Sequence, residues 1–187
     1  VDKAKLDEMI RTYIEENPGV IRDTLQRLAE REEREQKQAA LAFLEMSEGD
    51  PVLGNPDGSL VIYEFSDYNC GYCKRVFGPI QEVLAEDDDI RVVVKEFPIL
   101  SQSSMVAAQA AIATQMQGVF QQYHVTMMTN PGAISMDTIL AAARDAGADI
   151  DQLQRDMRSA ETAAVINRTR MSAEQLQISG TPGLIIG

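Results

Sequence analysis

Apolar positions recur at helical spacing from the start of the chain. Leu6, Met9, Ile10, Tyr13 and Ile14 share one face of residues 3–16, with polar residues between them, which predicts a short amphipathic helix. Asn17-Pro18 reads as an N-cap followed by Pro at the first helical position, where the missing N–H costs nothing. A second helix is predicted from Pro18 to about Met46. Its apolar seam runs Ile21, Leu25, Leu28, then polar Glu32 and Glu35, then Ala39, Ala42 and Met46, close to heptad spacing. Glu30 with Arg34 and Glu33 with Lys37 stand at i,i+4, each worth about 0.2–0.5 kcal/mol of helix support. At roughly 1.5 Å per residue the helix would be on the order of 40 Å long. A small domain covers such a seam with difficulty, so an arm that self-associates is expected in preference to a solvated helix lying on its own domain.

The turn formers of GDPVLGNPDGS at 49–59 mark a boundary, dividing a helical arm at 1–47 from a second domain at 48–187. The pattern then changes to period two. LVIYEF at 60–65 is a strand with Leu60, Ile62 and Glu64 on one face and Val61, Tyr63 and Phe65 on the other, so Glu64 is either a buried carboxylate or a solvated strand-edge residue. A helix kinked by Pro79 runs from Cys70 toward Ala85. The strand IRVVVKEF at 90–97 has a VVV centre that implies burial on both faces. Strand, helix, strand in this span is a βαβ unit with parallel strands. Residues 98–178 read as helices near 103–117, 119–129, 136–146, 151–158 and 160–177. GLIIG at 183–187 is a strand just begun where the chain stops, and the fold is expected to continue beyond Gly187.

Composition narrows the function classes. A chain of 187 residues with 44% apolar content supports one core and a small extra element. A formal charge of −12 opposes a polyanion, so nucleic acid is not an expected partner. No window approaches 18 uninterrupted apolar residues, so no membrane-embedded segment is expected. The start at Val1, without Met or a basic-then-apolar leader, fits a processed or trimmed protein and leaves the compartment open. Between Lys95 and Arg144 there is no Lys or Arg, and five of the nine methionines fall in that stretch. They read as filling for an irregular helical core; alternatively Met105, Met116, Met127 or Met128 line an apolar substrate groove. The single histidine, His124, has Phe120 and Met128 one helical turn away on either side and reads as a packed core residue.

Cys70-Gly71-Tyr72-Cys73 is the sharp motif, placed after a strand and at a helix start. A helix N-terminus lowers a cysteine's pKa through unpaired N–H groups, which makes Cys70 the attacking, more exposed thiol and Cys73, one turn in, the thiol that resolves the mixed disulfide. A zinc site would need two more ligands with only His124 and carboxylates to draw on, so no metal is expected. A structural disulfide closing so short a loop would stabilise little. Thr181-Pro182 stands at the entrance of the last strand, where Pro is tolerated; taken alone, a trans bond in an ordinary loop is the expectation.

Together, CGYC at 70–73, GTP at 180–182, ENPGVI at 16–21, GNPDG at 54–58, YEFSDYNCGYCK at 63–74, VVVKEFPIL at 92–100 and ISGTPGLIIG at 178–187 resemble the bacterial DsbA-like thiol:disulfide oxidoreductases, and within them the ScsC-like proteins of copper-sensitivity suppression. The resemblance implies an α/β thioredoxin-like fold with a helical insertion at about 98–178 and an N-terminal oligomerisation arm. It implies a nucleophilic Cys70, a resolving Cys73, a cis Pro182 facing the disulfide, and a Thr181 that contacts substrate backbone, with Gly71, Tyr72 and Met105 the further expected substrate contacts. Glu64 matches a buried acid beneath the disulfide that takes or gives the proton of Cys73, and Lys95 matches its usual partner. The resemblance also implies a periplasmic, cofactor-free homo-oligomer, dimer or trimer, that acts as isomerase or reductase on unfolded or misoxidised proteins and is served by a membrane-bound thiol reductase. A DsbA-type dithiol oxidase and a copper(I)-binding module are the alternatives. Such proteins continue past the TP strand with a further strand and a helix, whereas this sequence stops at Gly187.

Overall fold

The computed structural model describes residues 2–187 and separates into two compact units, the first ending at Leu41 and the second comprising Ala42–Gly187. In the first, helix α1 (Lys3–Glu16) opens on Asp2, whose side chain accepts from Ala4 N. It closes on Asn17, whose backbone N–H and side-chain Nδ2 both donate to Tyr13 O at 2.9 Å. Asn17 therefore closes α1, whereas the sequence placed it as the cap that opens the next helix: its short amide reaches a carbonyl that the helix end leaves unpaired. Helix α2 (Gly19–Glu45) carries the Lys37–Glu33 pair at 2.8 Å, but Glu30 accepts from Gln26 in place of an Arg34 partner.

The second unit is built on a four-stranded sheet in the order β1-β3-β2-β4, with β1 Val52–Gly54, β2 Leu60–Ser66, β3 Ile90–Glu96 and β4 Gly183–Ile186. The β2–β3 pair is parallel, with Ile62 opposite Val92 and Glu64 opposite Val94; the two outer pairs are antiparallel. β1 lies inside the segment that reads as pure turn, because three strand residues among Gly, Pro and Asp leave no period to detect. Gly54 ends it at φ +78, and a Cβ there would meet Ile90 O at 2.7 Å, so both backbone and space require glycine.

One sheet face carries Ile62, Ile90, Val92 and Val94 against helix α3 (Gly71–Glu86), which runs on through Pro79, and against the helical insertion. The other face carries Tyr63, Phe65 and Val93 against Phe97, Ala173 and Leu44. Leu44 sits in the last turn of α2 and is fully buried, as is Ala40, while the anticipated seam residues Ala39, Ala42 and Met46 are exposed. The end of α2 thus belongs to the second unit, and the division falls before the boundary expected at residue 47. The insertion comprises α4 (Gln102–Met116), α5 (Phe120–Thr129), α6 (Met136–Asp145), α7 (Ile150–Asp156) and α8 (Ala160–Gln175). α4 is buried nearly all round through Ala107, Ala108, Ala110, Ala111 and Ala113 and touches each of the other four, which explains the stretch without charges.

Candidate active site

β2 ends at Ser66, and four residues later Cys70 stands as the N-cap of α3, with φ −79 and ψ 114. Its backbone N–H donates to Asp67 O at 2.9 Å, and its Sγ accepts from Cys73 N at 3.4 Å. The helix start therefore directs its free N–H groups at one sulfur. Both cysteines are free; Cys70 is 6% exposed and Cys73 fully buried, the order of access the sequence predicts. Across the cleft the Thr181-Pro182 bond is cis, and the Cys70 thiol donates to Thr181 O at 3.3 Å. Pairing of Gly183 with Phe65 in the β4–β2 ladder delivers this loop to the end of the sheet where Cys70 begins its helix.

The two thiols differ in acidity. Burial pushes Cys70 up, but the Thr181 side chain and the backbone N–H groups of Cys73 and Tyr72 favour the thiolate, outweigh burial and leave Cys70 below the ordinary thiol value. Cys73 is pushed up to about 12, chiefly by burial. Gly71 faces open space, and Tyr72 is 66% exposed with the Arg75 guanidinium 4.1 Å over its ring. Met105 is part of a different cluster, packed with Ala108, Ile112, Val165 and Ile166 between α4 and α8, not the cluster that holds the cysteines. Met127 and Met128 are buried in the core cluster that also holds the cysteines.

Glu64 is buried on the sheet face that packs against α3 and the cysteines, and burial raises its pKa to about 7, with the nearby Ser66 hydroxyl opposing. Lys95 is not its partner. Successive β3 residues alternate faces, and with Val92 and Val94 turned toward α3, Lys95 is on the opposite face with Val93. There its Nζ meets Asp50 Oδ2 at 2.5 Å and Ser47 Oγ at 3.4 Å, in a fully buried ion pair. Burial still pushes Asp50 above the usual carboxylate value, with Lys95 opposing.

Two buried polar side chains near the cysteines, Tyr68 and Glu96, escaped sequence reasoning, and they join His124, which is packed in the core as expected. Tyr68 Oη lies 3.0 Å from Glu96 Oε1 and 2.9 Å from His124 Nδ1. Where Tyr68 gives its one hydrogen to Glu96, the His124 bond takes its proton from Nδ1; where a protonated Glu96 donates to Tyr68, Tyr68 donates to Nδ1. His124 Nε2, among Phe77 and Phe120, has no partner among the described residues. Burial holds His124 down at about 3 and Glu96 well above a normal carboxylate. The alternation that marks Glu64 also marks Glu96, which follows Ile90, Val92 and Val94 on the same face. Among the described residues no group of three or more His, Cys, Asp or Glu is arranged to hold a metal ion.

The family described as Thioredoxin matches residues 46–187. The chain belongs to this family. A thioredoxin-like oxidoreductase from Silicibacter pomeroyi DSS-3 is 39% identical, with a TM-score of 0.70 over 74% of this chain and 80% of that one. Proteus mirabilis ScsC in a transitional conformation, 21% identical, shares the fold with a TM-score of 0.73 over 99% of this chain and 87% of that one, its N-terminal helices included. Among curated relatives, a Na(+)/H(+) antiporter NhaA 1 of Mycolicibacterium gilvum is 32% identical over 74% of this chain but only 23% of its own length. The chain thus spans about a quarter of that curated relative. Within this family's fold, Cys70 and Cys73 form a CXXC pair at the start of α3. None of its helices, among the described residues, is long and apolar enough to cross a membrane.

Proposed function

We propose that the protein is a disulfide isomerase and reductase of misoxidised exported proteins in the periplasm, working as a dimer or trimer joined through residues 1–47. The observation that carries this reading is the first unit: α1 buries none of its residues, and Leu6, Met9, Ile10, Tyr13, Ile14, Val20, Ile21, Leu25 and Leu28 are all between 36% and 59% exposed. Apolar rows of this extent on two successive helices are covered when copies of the chain associate. An oligomer holds a substrate near a second site while its mixed disulfide rearranges, an effective-concentration gain that simple reduction does not need.

In this reading the Cys70 thiolate attacks a sulfur of the wrong disulfide. The Cys70–substrate bond forms as the substrate S–S bond breaks, and the electron pair leaves with the released thiolate. Either that thiolate attacks another disulfide of the substrate, or Cys73 gives its proton to Glu64 and displaces the substrate from Cys70, leaving the enzyme oxidised. A membrane-bound thiol reductase returns it to the dithiol, and no cofactor enters. Thr181, Pro182, Gly71 and Tyr72 border the sulfur and meet the substrate chain.

One observation favours the oxidase reading: the lowered Cys70 stabilises the reduced form and so makes its disulfide more oxidising. Light scattering combined with refolding of a scrambled multi-disulfide substrate separates the two. An oligomer whose isomerase activity falls with Ile21→Glu/Leu25→Glu while small-disulfide reduction persists is the expected result. A monomeric parent at micromolar concentration, or unchanged scrambled-substrate refolding in the variant, transfers the assignment to the oxidase.

A further inference from the structure

The loop that presents Cys70 is held by a side chain to which no role has been given. Asp67 is buried, and its carboxylate accepts three backbone N–H groups from two separate segments: Oδ1 from Asn69 N at 2.8 Å, and Oδ2 from Ile99 N at 2.9 Å and Leu100 N at 3.0 Å. Its backbone carbonyl takes a fourth, from Cys70 N. One residue thus ties the β2–α3 loop to itself and to the segment after β3. Asn69 Nδ2 strengthens the same seam, lying 2.9–3.0 Å from the hydroxyls of Ser101, Ser103 and Ser104. The side chains of Ile99 and Leu100 are about half exposed even though their N–H groups point inward at Asp67.

We propose that Asp67 is a positioning residue for thiol–disulfide exchange: by fixing residues 67–70 to residues 99–100 it holds the Cys70 sulfur on the free N–H groups at the start of α3. The inference rests on the assignment of Cys70 as nucleophile and adds the residue that sets its geometry. Three donors from rigid backbone specify a carboxylate with both oxygens in place. In Asp67→Asn one oxygen becomes an NH2 facing an N–H, so either the Asn69 tie or the Ile99–Leu100 tie is broken while side-chain size is kept.

The sign of the change in Cys70 acidity separates the possible roles. Removing a buried negative charge near a thiol would, by electrostatics alone, lower the thiol pKa. Loss of position takes the sulfur away from the N–H donors and raises it. Thiolate absorbance of the full chain, followed against pH, is expected to show a higher Cys70 pKa in Asp67→Asn, with the thiolate fraction and the iodoacetamide rate at pH 6–7 down about threefold or more. In the unaltered protein, amide hydrogen exchange supplies the independent arm: Ile99 and Leu100 N–H should be protected although both side chains are solvated. A Cys70 pKa that falls or stays put in Asp67→Asn, or Ile99 and Leu100 amides that exchange at free-loop rates, overturns the positioning role. Cys73-directed alkylation in the parent would instead overturn the nucleophile assignment, so the two failures are distinguishable.

Discussion

Cys70 and Cys73 are separated by one helical turn, and that turn divides their chemistry. Cys70 collects the N–H groups at the head of α3, while Cys73 lies inside the core with its proton retained by burial. Partial iodoacetamide labelling at mildly acidic pH should therefore modify Cys70 first, as peptide mass mapping would show. Cys73→Ser should accumulate mixed disulfides with oxidised substrates, because the resolving attack is gone. Glu64 gives a prediction with a defined sign. Its folded pKa of about 7 exceeds the ordinary 4.5, so between those values the folded state binds more protons than the unfolded, and stability falls as pH rises through the window. Glu64→Gln should flatten that decline and be more stable than the parent above pH 7, by on the order of 3 kcal/mol in urea titrations at about 1.4 kcal/mol per pKa unit. The same substitution should slow the reaction of Cys73 at neutral pH by at least about tenfold, since the proton acceptor is lost.

At the scale of elements, the connection between α2 and β1 is secured by the Lys95–Asp50 pair and by Leu44 on the sheet. Lys95→Ala should cost about 3–5 kcal/mol, because it leaves Asp50 buried without its cation. Lys95→Met with Asp50→Leu should recover most of that loss. Urea melts of the three chains test this, and the pH dependence of Cys70 alkylation should stay unchanged in the folded variants, since Lys95 is on the sheet face turned away from the cysteines. A Cys70 profile that moves in the double variant would return Lys95 to the redox site. Leu44→Ala removes a fully buried side chain and should cost about 2–5 kcal/mol in the second unit.

Considered as a whole molecule, the chain joins a unit with exposed apolar rows to a unit with a core on both faces of its sheet. The second has its own sheet, both packed faces and the redox pair, so residues 42–187 should fold alone and retain reduction of a small disulfide within about twofold of the full chain. Refolding of scrambled substrate should fall much further, and light scattering should report a monomer. A fragment that isomerises as well as the full chain would place the whole activity in one unit.

Much of this was legible in the chain because it depends on local order. Period two in LVIYEF and IRVVVKEF, the uncharged run through α4 and α5, and two cysteines at a helix start are properties of neighbouring residues, and backbone geometry converts them directly into strands, buried helices and a reactive thiol. The buried Glu64 follows from the same alternation. Tertiary structure decided what depends on which distant groups meet. Alternation shows that Lys95 and Glu64 each occupy a strand face, but only the register and the fold of residues 47–50 reveal that Lys95 faces Asp50. Asn17 could cap either helix, and the carbonyl within reach settled it. Three residues of β1 carry no period of their own and become a strand only because β3 offers an open edge. The joining of Asp67 to Ile99 and Leu100, and of Tyr68 to Glu96 and His124, spans 28 to 56 residues of chain. Such hydrogen bonds depend on positions in space that no local pattern encodes.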